Sequence, residues 1–360
     1  MEYNGHFPIF DSSRIRTYPL RRRENKMDLQ WLLDCEAVAA MPLQGQNPEL
    51  DAVADYLIQA RDEGWPVILQ AGAHPVKSGL TPLFADLIRR GYLTLFATNT
   101  AAIIHNFELA LTGASSERVP LTLPLGEFGM AFETGAYLNE MIREADRRAI
   151  GLGEGFVHLL FDAEFRRTVL DNAFARFPSS EEYLKPYDGF PYAEKTVFAA
   201  AHEAGIPVTI HAMIGTDIID QHGNFDGAAK GSTSARDFLI YAEHITRFGR
   251  GGAVLNVASA VLGPEVLLKA ASMAANCGKP MNAPLTATFD IRPAMPEGAA
   301  SDESQFHYYF RDQKTVASRL PGSFGGTGYY FQGDFMQTFV ELYKRVRLLE
   351  RERHHIDDSA

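Results

Sequence analysis

The sequence contains very little cysteine. Only Cys35 and Cys277 occur among its 360 residues, too few for a disulfide framework or a site of four thiolates. The amino-terminal segment also lacks the charged, apolar and small-residue order of a signal peptide. Together these absences favour a reducing compartment, and we expect a cytoplasmic protein.

Long hydrophobic runs are missing too. A membrane-spanning helix needs about 20 predominantly apolar residues in succession. Even the apolar stretch 254–260 is interrupted by Asn256 and is soon followed by Gly263 and Pro264. The sequence therefore predicts a protein with no membrane span.

Excess positive charge is a third absence. Lys and Arg number 34 against 45 Asp and Glu, a formal net charge of −11. A surface of this kind repels phosphate backbones, so we expect no nucleic-acid partner. The basic arm at residues 14–26, which includes Arg23 and Lys26, is a local exception. It is either a solvated or subunit-bridging arm, or a segment that contacts a ligand.

The chain does contain a repeated pattern of amphipathic helix, glycine and short apolar strand. In its first copy Asn47 and Pro48 begin a helix, Gly64 ends it, and a strand follows at 66–71. Further strands are predicted at 92–97, 206–212, 253–257 and within 281–290, each after a helix. The capping-box spacing of Ser234 and Asp237 predicts that one of these helices begins there.

This alternation predicts the fold class. Strands separated by single helices lie parallel with right-handed crossovers, and near-continuous apolar strands suit a sheet covered on both faces. We therefore predict an α/β protein with a Rossmann-like, largely parallel sheet and helices on both faces. The predicted organisation is an arm and helix at 1–45, the α/β domain at 46–335 and a carboxyl-terminal helix and tail at 336–360.

Two segments fit this pattern less well. Residues 111–191 are irregular, with helices expected near 130–148 and 164–174, and are interpreted as an insertion or lid. The glycine-rich run 322–328 is either a turn before the last helix or a close approach to a ligand.

Ligands of open parallel sheets bind beyond the carboxyl ends of the strands, so the loops there are the candidate site. In the loop after the first strand, Gly72 permits close backbone approach, and His74 and Lys77 are suited to an anion or substrate. The alternative for this loop is a tight turn with an exposed Lys77.

The second strand is followed by Asn99, Thr100 and Ala101 where a helix begins, and then by His105 and Glu108. The last two are three residues apart and share a helical face. They are either an acid–base or ligand pair or ordinary helix neighbours.

The third loop is the densest in ionisable groups, with His211, Asp217, Asp220, His222 and Asp226. Such groups hold a metal, contact a substrate or cofactor, or serve ordinary turns, and the spacing matches no standard zinc pattern.

Polar residues also end the fourth and fifth strands. Asn256 and Ser259 follow the fourth and Asp290 follows the fifth. These groups are suited to the ribose or amine groups of a ligand, and their shared position at strand ends is what marks them.

Four segments, 72–80, 104–113, 127–135 and 214–217, together resemble the deoxyhypusine synthase superfamily. The resemblance implies a Rossmann-like fold, NAD bound at subunit interfaces of a homotetramer, and transfer of an aminobutyl group from spermidine. It also implies that residues 99–102 and 105–108 lie beside NAD and that residues 215–217 lie near the cofactor or amine.

One departure from the family bears on the reaction. The synthases carry a lysine in a Trp-Gly-Lys-type segment near the carboxyl terminus, and that lysine forms a covalent imine. No lysine occurs here between Lys314 and Lys344. The sequence therefore does not predict standard deoxyhypusine synthesis.

The leading prediction is an NAD-binding, homo-oligomeric enzyme that acts on a small amine or amino-acid-like substrate by oxidation or group transfer. Its predicted acid–base and amine-binding residues are His105, Glu108, His211 and Asp217. The residues predicted to bind the cofactor are Gly72, His74, Lys77, Asn99, Thr100, Ala101, Asn256, Ser259 and Asp290. Two alternatives stay open: a hydrolase or lyase with a metal on His211, Asp217 and His222, and a non-catalytic ligand-binding homologue.

Overall fold

The structure is a computed structural model that describes residues 3–296, 299 and 302–357. Its strands are β1 (Asn25–Asp28), β2 (Val67–Ala71), β3 (Leu95–Asn99), β4 (Ala114–Glu117), β5 (Val208–His211), β6 (Ala253–Val257), β7 (Leu285–Asp290) and β8 (Thr327–Gln332).

Helices connect these strands. They are α1 (Cys35–Ala40), α2 (Pro48–Glu63), α3 (His74–Lys77), α4 (Thr81–Arg89), α5 (Thr100–Thr112), α6 (Val119–Thr122), α7 (Phe132–Arg147), α8 (Leu152–Phe161), α9 (Ala163–Arg176), α10 (Val197–Ala204), α11 (Gly227–Ile245), α12 (Leu262–Asn276), α13 (Leu320–Ser323) and α14 (Phe335–Asp357), with a π-helical segment at Asp312–Arg319. No helix within the described ranges combines the length and apolar character of a membrane span.

Six strands form one parallel sheet in the order β5-β3-β2-β6-β7-β8. Numbered within the sheet alone, this is the order 3-2-1-4-5-6 of the doubly wound α/β fold. The chain builds outward from β2 through β3 to β5, then returns to the other side of β2 with β6. The connections that leave β2 and β6 therefore run to opposite sides, and we call the switch point outside the carboxyl ends of these two strands the crevice.

Both faces of the sheet are covered, as predicted. Because side chains alternate along a strand, Val67 and Leu69 of β2 pack into the core cluster that includes residues of α2, α4, α10 and α14, while Ile68 packs into a second cluster with residues of α11 and α12. All three side chains are buried. This explains why the strand is a continuous apolar run rather than an alternating one. The predicted α/β class is confirmed.

The sixth strand was not predicted. The glycine-rich run 322–328 is not the turn before the last helix, because it leads into β8, which pairs with β7. A Cβ on Gly326 would lie 2.0 Å from the carbonyl oxygen of Pro284, so the tight approach that requires glycine here is to the protein's own backbone.

The predicted start of a helix at Ser234 and Asp237 is wrong. Helix α11 begins at Gly227, where the side chain of Asp226 accepts hydrogen bonds from the amides of Ala228 and Ala229. Asp237 instead accepts from the amide of Ile210 at 2.7 Å in β5, an edge strand of the sheet. The carboxylate of Asp237 therefore bonds a backbone amide of an edge strand and does not cap its own helix.

The segment 111–191 is packed against the rest of the chain. It holds β4 and α6–α9, including α8, which was not predicted, and buries Phe132, Tyr137 and Phe156 in the main core cluster. Strand β4 pairs antiparallel with β1 of the amino-terminal arm, with Met27 opposite Ser115. This pairing fastens the arm beside helix α5. The domain limits and the homo-oligomer stay predictions.

The loops after β2 and β6 approach each other closely at a glycine. A Cβ on Gly72 would lie 2.2 Å from the carbonyl oxygen of Ala258, whose φ of 51° is left-handed. We expect Gly72→Ala to lower the free energy of unfolding by about 1–3 kcal/mol, because the two loops must move apart. Urea denaturation measures it.

A matched control is Gly231→Ala inside α11, where the added Cβ meets no heavy atom within 4 Å. Alanine has the higher helix propensity, so this variant should gain up to about 1 kcal/mol. Equal effects of the two substitutions would contradict the close approach at Gly72.

Candidate functional site

A cavity of about 250 Å³ opens beside α5, between β1, β4 and the loop after β5. Five of the predicted site residues line it: Lys77, Ala101, His105, Glu108 and Asp217. The remaining lining residues are Arg23, Lys26, Ile104, Ser116, Glu117, Val119, Phe128, Thr216 and Ile218. The predicted site residues at this cavity come from three separate loops, and they meet there with residues of the basic arm.

Glu108 is the anchor of this cavity. Its buried carboxylate accepts two hydrogen bonds from Arg23, at 2.8 and 2.5 Å, one from Ser115 at 2.7 Å and one from Thr134 at 2.9 Å. Burial by itself would raise the pKa of Glu108, but the Arg23 guanidinium outweighs burial and the pKa lies below its usual value. Glu108 is therefore an ionised, fully engaged carboxylate that positions its neighbours.

The ring of His105 is oriented by this carboxylate through Ser115. His105 Nδ1 lies 2.7 Å from Ser115 Oγ. Because the single hydroxyl proton of Ser115 goes to Glu108, Ser115 Oγ must accept the proton of His105 Nδ1. The Nε2 atom is then unprotonated, and it makes no hydrogen bond within the described part of the chain. Burial lowers the pKa of His105 to about 4. His105 is thus a neutral proton acceptor beside the cavity.

The backbone of β4 contributes strain at the same place. Ser116 has a φ of 73°, a left-handed conformation that is uncommon for residues other than glycine. Ser115 before it is buried against Glu108, while Ser116 and Glu117 both line the cavity. Glu117 is itself engaged, accepting from the Tyr18 hydroxyl at 3.1 Å and the Gly129 amide at 2.9 Å.

Asp217 is joined to a lysine that was not predicted. The ammonium group of Lys230, a fully buried residue, donates to Asp217 at 2.8 Å, Asp220 at 2.7 Å and the carbonyl oxygen of Met213 at 3.0 Å. Burial raises the pKa of Asp217 and Lys230 opposes that rise. These bonds hold the loop after β5 onto α11, with Asp217 at the cavity wall.

The three side chains of the alternative metal site do not converge. His211 Nε2 lies 3.1 Å from the Thr209 hydroxyl, His222 Nε2 lies 2.8 Å from the carbonyl oxygen of Gly129, and Asp217 binds Lys230. Among the residues that the structure describes, no three His, Cys, Asp or Glu side chains are grouped to hold a metal. His211 also lies apart from the main cavity, between a void of about 10 Å³ and a separate cavity of about 270 Å³.

Several residues predicted to bind the cofactor form local backbone contacts. Asn99 accepts from the amide of Ala102 and caps α5, whose first residue, Thr100, is buried. Asn256 donates to the carbonyl oxygen of Ser259 at 3.0 Å, which shapes the loop after β6.

The other predicted cofactor residues lie around the crevice. Asp290 is paired with Arg292 at 3.0 Å, and Gly72 packs on the loop after β6. The side chain of His74 is exposed. Its pKa lies below the ordinary value, because partial desolvation and the charge of Lys77 outweigh the attraction of Asp290.

The amino-terminal arm is where sequence reasoning fell short. It is not simply solvated, because Arg23 is buried on Glu108 and Lys26 lines the cavity, while Arg22 is exposed. The cluster of basic residues was a visible signal, but the partner of Arg23 is 85 positions away. Ser115, Thr134 and Lys230 carried no local signal at all.

Comparison with known proteins gives no family. No protein-family model matches the chain, and no curated protein matches it. Among solved structures, the ternary complex of AgrE with ornithine and NAD⁺ is similar with a TM-score of 0.44 and 14% identity, covering 88% of this chain and 34% of AgrE. The chain thus spans about a third of that protein.

Two other similar structures span most of their own chains. A candidate LOR/SDH protein from Methanococcus maripaludis S2 has a TM-score of 0.43 at 13% identity, with 93% of this chain and 75% of that chain covered. A candidate deoxyhypusine synthase from Entamoeba histolytica has a TM-score of 0.31 at 11% identity, with 72% and 78% covered. At such scores the likenesses assign neither family nor function, and the deoxyhypusine synthase resemblance stays a prediction.

The contribution of the ion pair between Arg23 and Glu108 can be tested by measuring the free energy of unfolding. We expect Arg23→Met to lower the free energy of unfolding by about 3–5 kcal/mol, because Glu108 is then a buried charge without a cation. The neighbouring exposed pair of Arg22 and Glu182 supplies the control, and Arg22→Met should cost less than about 1 kcal/mol. Comparable losses in urea denaturation would refute the anchoring role of Arg23.

The proton positions on His105 are testable by nitrogen-15 NMR, with His105→Gln to assign the signals. We expect the Nδ1–H tautomer, neutral from pH 7 down to about 5, with titration near the pKa of about 4. Since the unfolded chain binds this proton near pH 6.5, His105 should also reduce stability as the pH falls below that value. Titration near pH 6.5 in the folded protein would contradict the burial of the ring.

Proposed function

We propose that this protein is an NAD-dependent enzyme that oxidises a small amino-acid-like substrate at an amine-bearing carbon, with His105 as proton acceptor. One observation carries the proposal: His105 lines a cavity of about 250 Å³, its Nδ1 is held by Ser115 and Glu108, and its Nε2 makes no hydrogen bond within the described residues. Oxidation at that carbon is the step common to net oxidation and to group transfer.

The chain of Glu108, Ser115 and His105 suits proton removal. A histidine acts as a base only in its neutral form, and burial keeps His105 neutral across the physiological range. The ionised Glu108 also stabilises the imidazolium that forms once the proton is taken, through the hydroxyl between them. A proton acceptor of this kind fits removal of a proton from the substrate nitrogen as its carbon is oxidised.

The walls of the cavity fit a small polar substrate. About 250 Å³ is below the usual volume range of sites for drug-sized ligands. Charged groups of both signs line it, among them Asp217 and Lys77, and Ile104, Val119 and Phe128 contribute apolar surface. A small zwitterion with a short aliphatic stem matches both features.

A dinucleotide would lie outside the carboxyl ends of β2 and β6, since the void enclosed there, about 10 Å³, is too small to hold one. The strand order 3-2-1-4-5-6 has its switch point between β2 and β6, where dinucleotides bind in such sheets. Within the described residues, two buried polar atoms near this point, Gln70 Nε2 and Asn256 Oδ1, have no hydrogen-bond partner. His74, Ser259 and Asp290 are the residues that would hold NAD. When bound, NAD⁺ supplies a hydride acceptor.

The test combines binding with turnover. We expect calorimetric titration with NAD⁺ to give micromolar binding to the wild type and, within about twofold, to His105→Gln. In a screen of amino acids, NADH formation should fall at least 10²-fold in His105→Gln. His202→Gln, an exposed histidine on α10, is the control and should keep full activity.

Two other outcomes of these measurements would contradict the proposal or favour its alternative. Failure of well-folded, cofactor-free protein to bind NAD⁺ would refute the proposal. NAD⁺ binding without turnover of any amine or amino acid would favour the non-catalytic ligand-binding homologue.

A further inference from the structure

Two lysines at the cavity have no protein partner. Lys26 lies on β1 and is exposed at the cavity mouth, and Lys77 ends α3 and is half-buried. No carboxylate oxygen in the described ranges lies within 4.0 Å of either ammonium group, and neither group donates a hydrogen bond there. Each ammonium group therefore keeps its donors for another molecule.

The acidic residues of the same wall are already engaged. Glu108 is bound by Arg23, and Asp217 by Lys230. Both oxygens of Glu117 accept hydrogen bonds, from Tyr18 and from Gly129. The polar groups of the wall are thus divided into carboxylates with donors of their own and two lysines without acceptors.

The two lysines line the same cavity. Burial lowers the pKa of Lys77, and the positive charge of Lys26 lowers it further. Two ammonium groups that repel each other are stabilised together by an anion placed between them.

We propose that Lys26 and Lys77 bind the carboxylate of the substrate, which makes the substrate an amino acid and excludes free amines. The inference rests on the proposed function and deepens it. With the carboxylate at the lysines, the rest of the same molecule lies in the cavity of about 250 Å³ that Asp217 and His105 also line.

The other source of such an anion is the phosphate of a nucleotide. A carboxylate is favoured because the cavity volume suits an amino acid and is too small to enclose a dinucleotide.

The test compares amino acids with their decarboxylated amines. Calorimetry of the wild type with the common amino acids and with their amine counterparts, such as ornithine and putrescine, should show binding of at least one acid and at least tenfold weaker binding of its amine. Lys26→Met and Lys77→Met should each weaken binding of that acid by tenfold or more. Lys77→Arg should retain part of it.

Controls separate this inference from the proposed function. Lys279→Met removes an exposed lysine elsewhere and should change nothing, and NAD⁺ affinity should be unchanged in both cavity variants. Equal binding of acid and amine, or no binding of any amino acid, would overturn the carboxylate site. Weaker NAD⁺ binding in the lysine variants would overturn it in favour of a cofactor phosphate. Lysine-dependent amino-acid binding without NAD⁺ binding would instead sink the NAD-dependent function alone.

Discussion

The buried ion pair between Arg23 and Glu108 joins the amino-terminal arm to helix α5 at the base of the cavity. Taking both charges out of water is costly, and only good geometry offsets that cost. Here Arg23 binds in bidentate fashion, and Ser115 and Thr134 supply the carboxylate's other two hydrogen bonds. The pair therefore sets the position of Ser115, and through it the tautomer of His105. The arrangement of His105 at the cavity thus depends on this ion pair.

The loops after β2 and β3 both contribute to the cavity. Helix α3 begins at His74 and ends at Lys77, which lines the cavity. Helix α5 begins at the end of β3 and presents His105 five residues after its first residue. This arrangement follows from the parallel sheet, which brings the carboxyl ends of successive strands to one edge.

Local patterns predicted the fold well and failed where tertiary contacts compete with them. Glycines that end helices, together with short apolar runs, predicted strands β2, β3, β5, β6 and β7. Both signals depend on only a few neighbouring residues. Strand β8 was missed because glycines obscured it. The start of α11 was misplaced because Asp237 has the residue type of a helix cap but bonds to β5. A side chain's hydrogen-bonding chemistry is visible in sequence, whereas its partner is not.

By itself, the sequence determined the α/β class, the strand ends where polar residues gather, and the residue types available there. Only the tertiary structure decided their roles. It brought Lys77, His105 and Asp217 to one cavity, separated His211 and His222 from it, and engaged Glu108 fully as an anchor. The physical reason is that backbone pattern acts locally, while protonation and free donors depend on burial and on partners such as Arg23, 85 residues from Glu108.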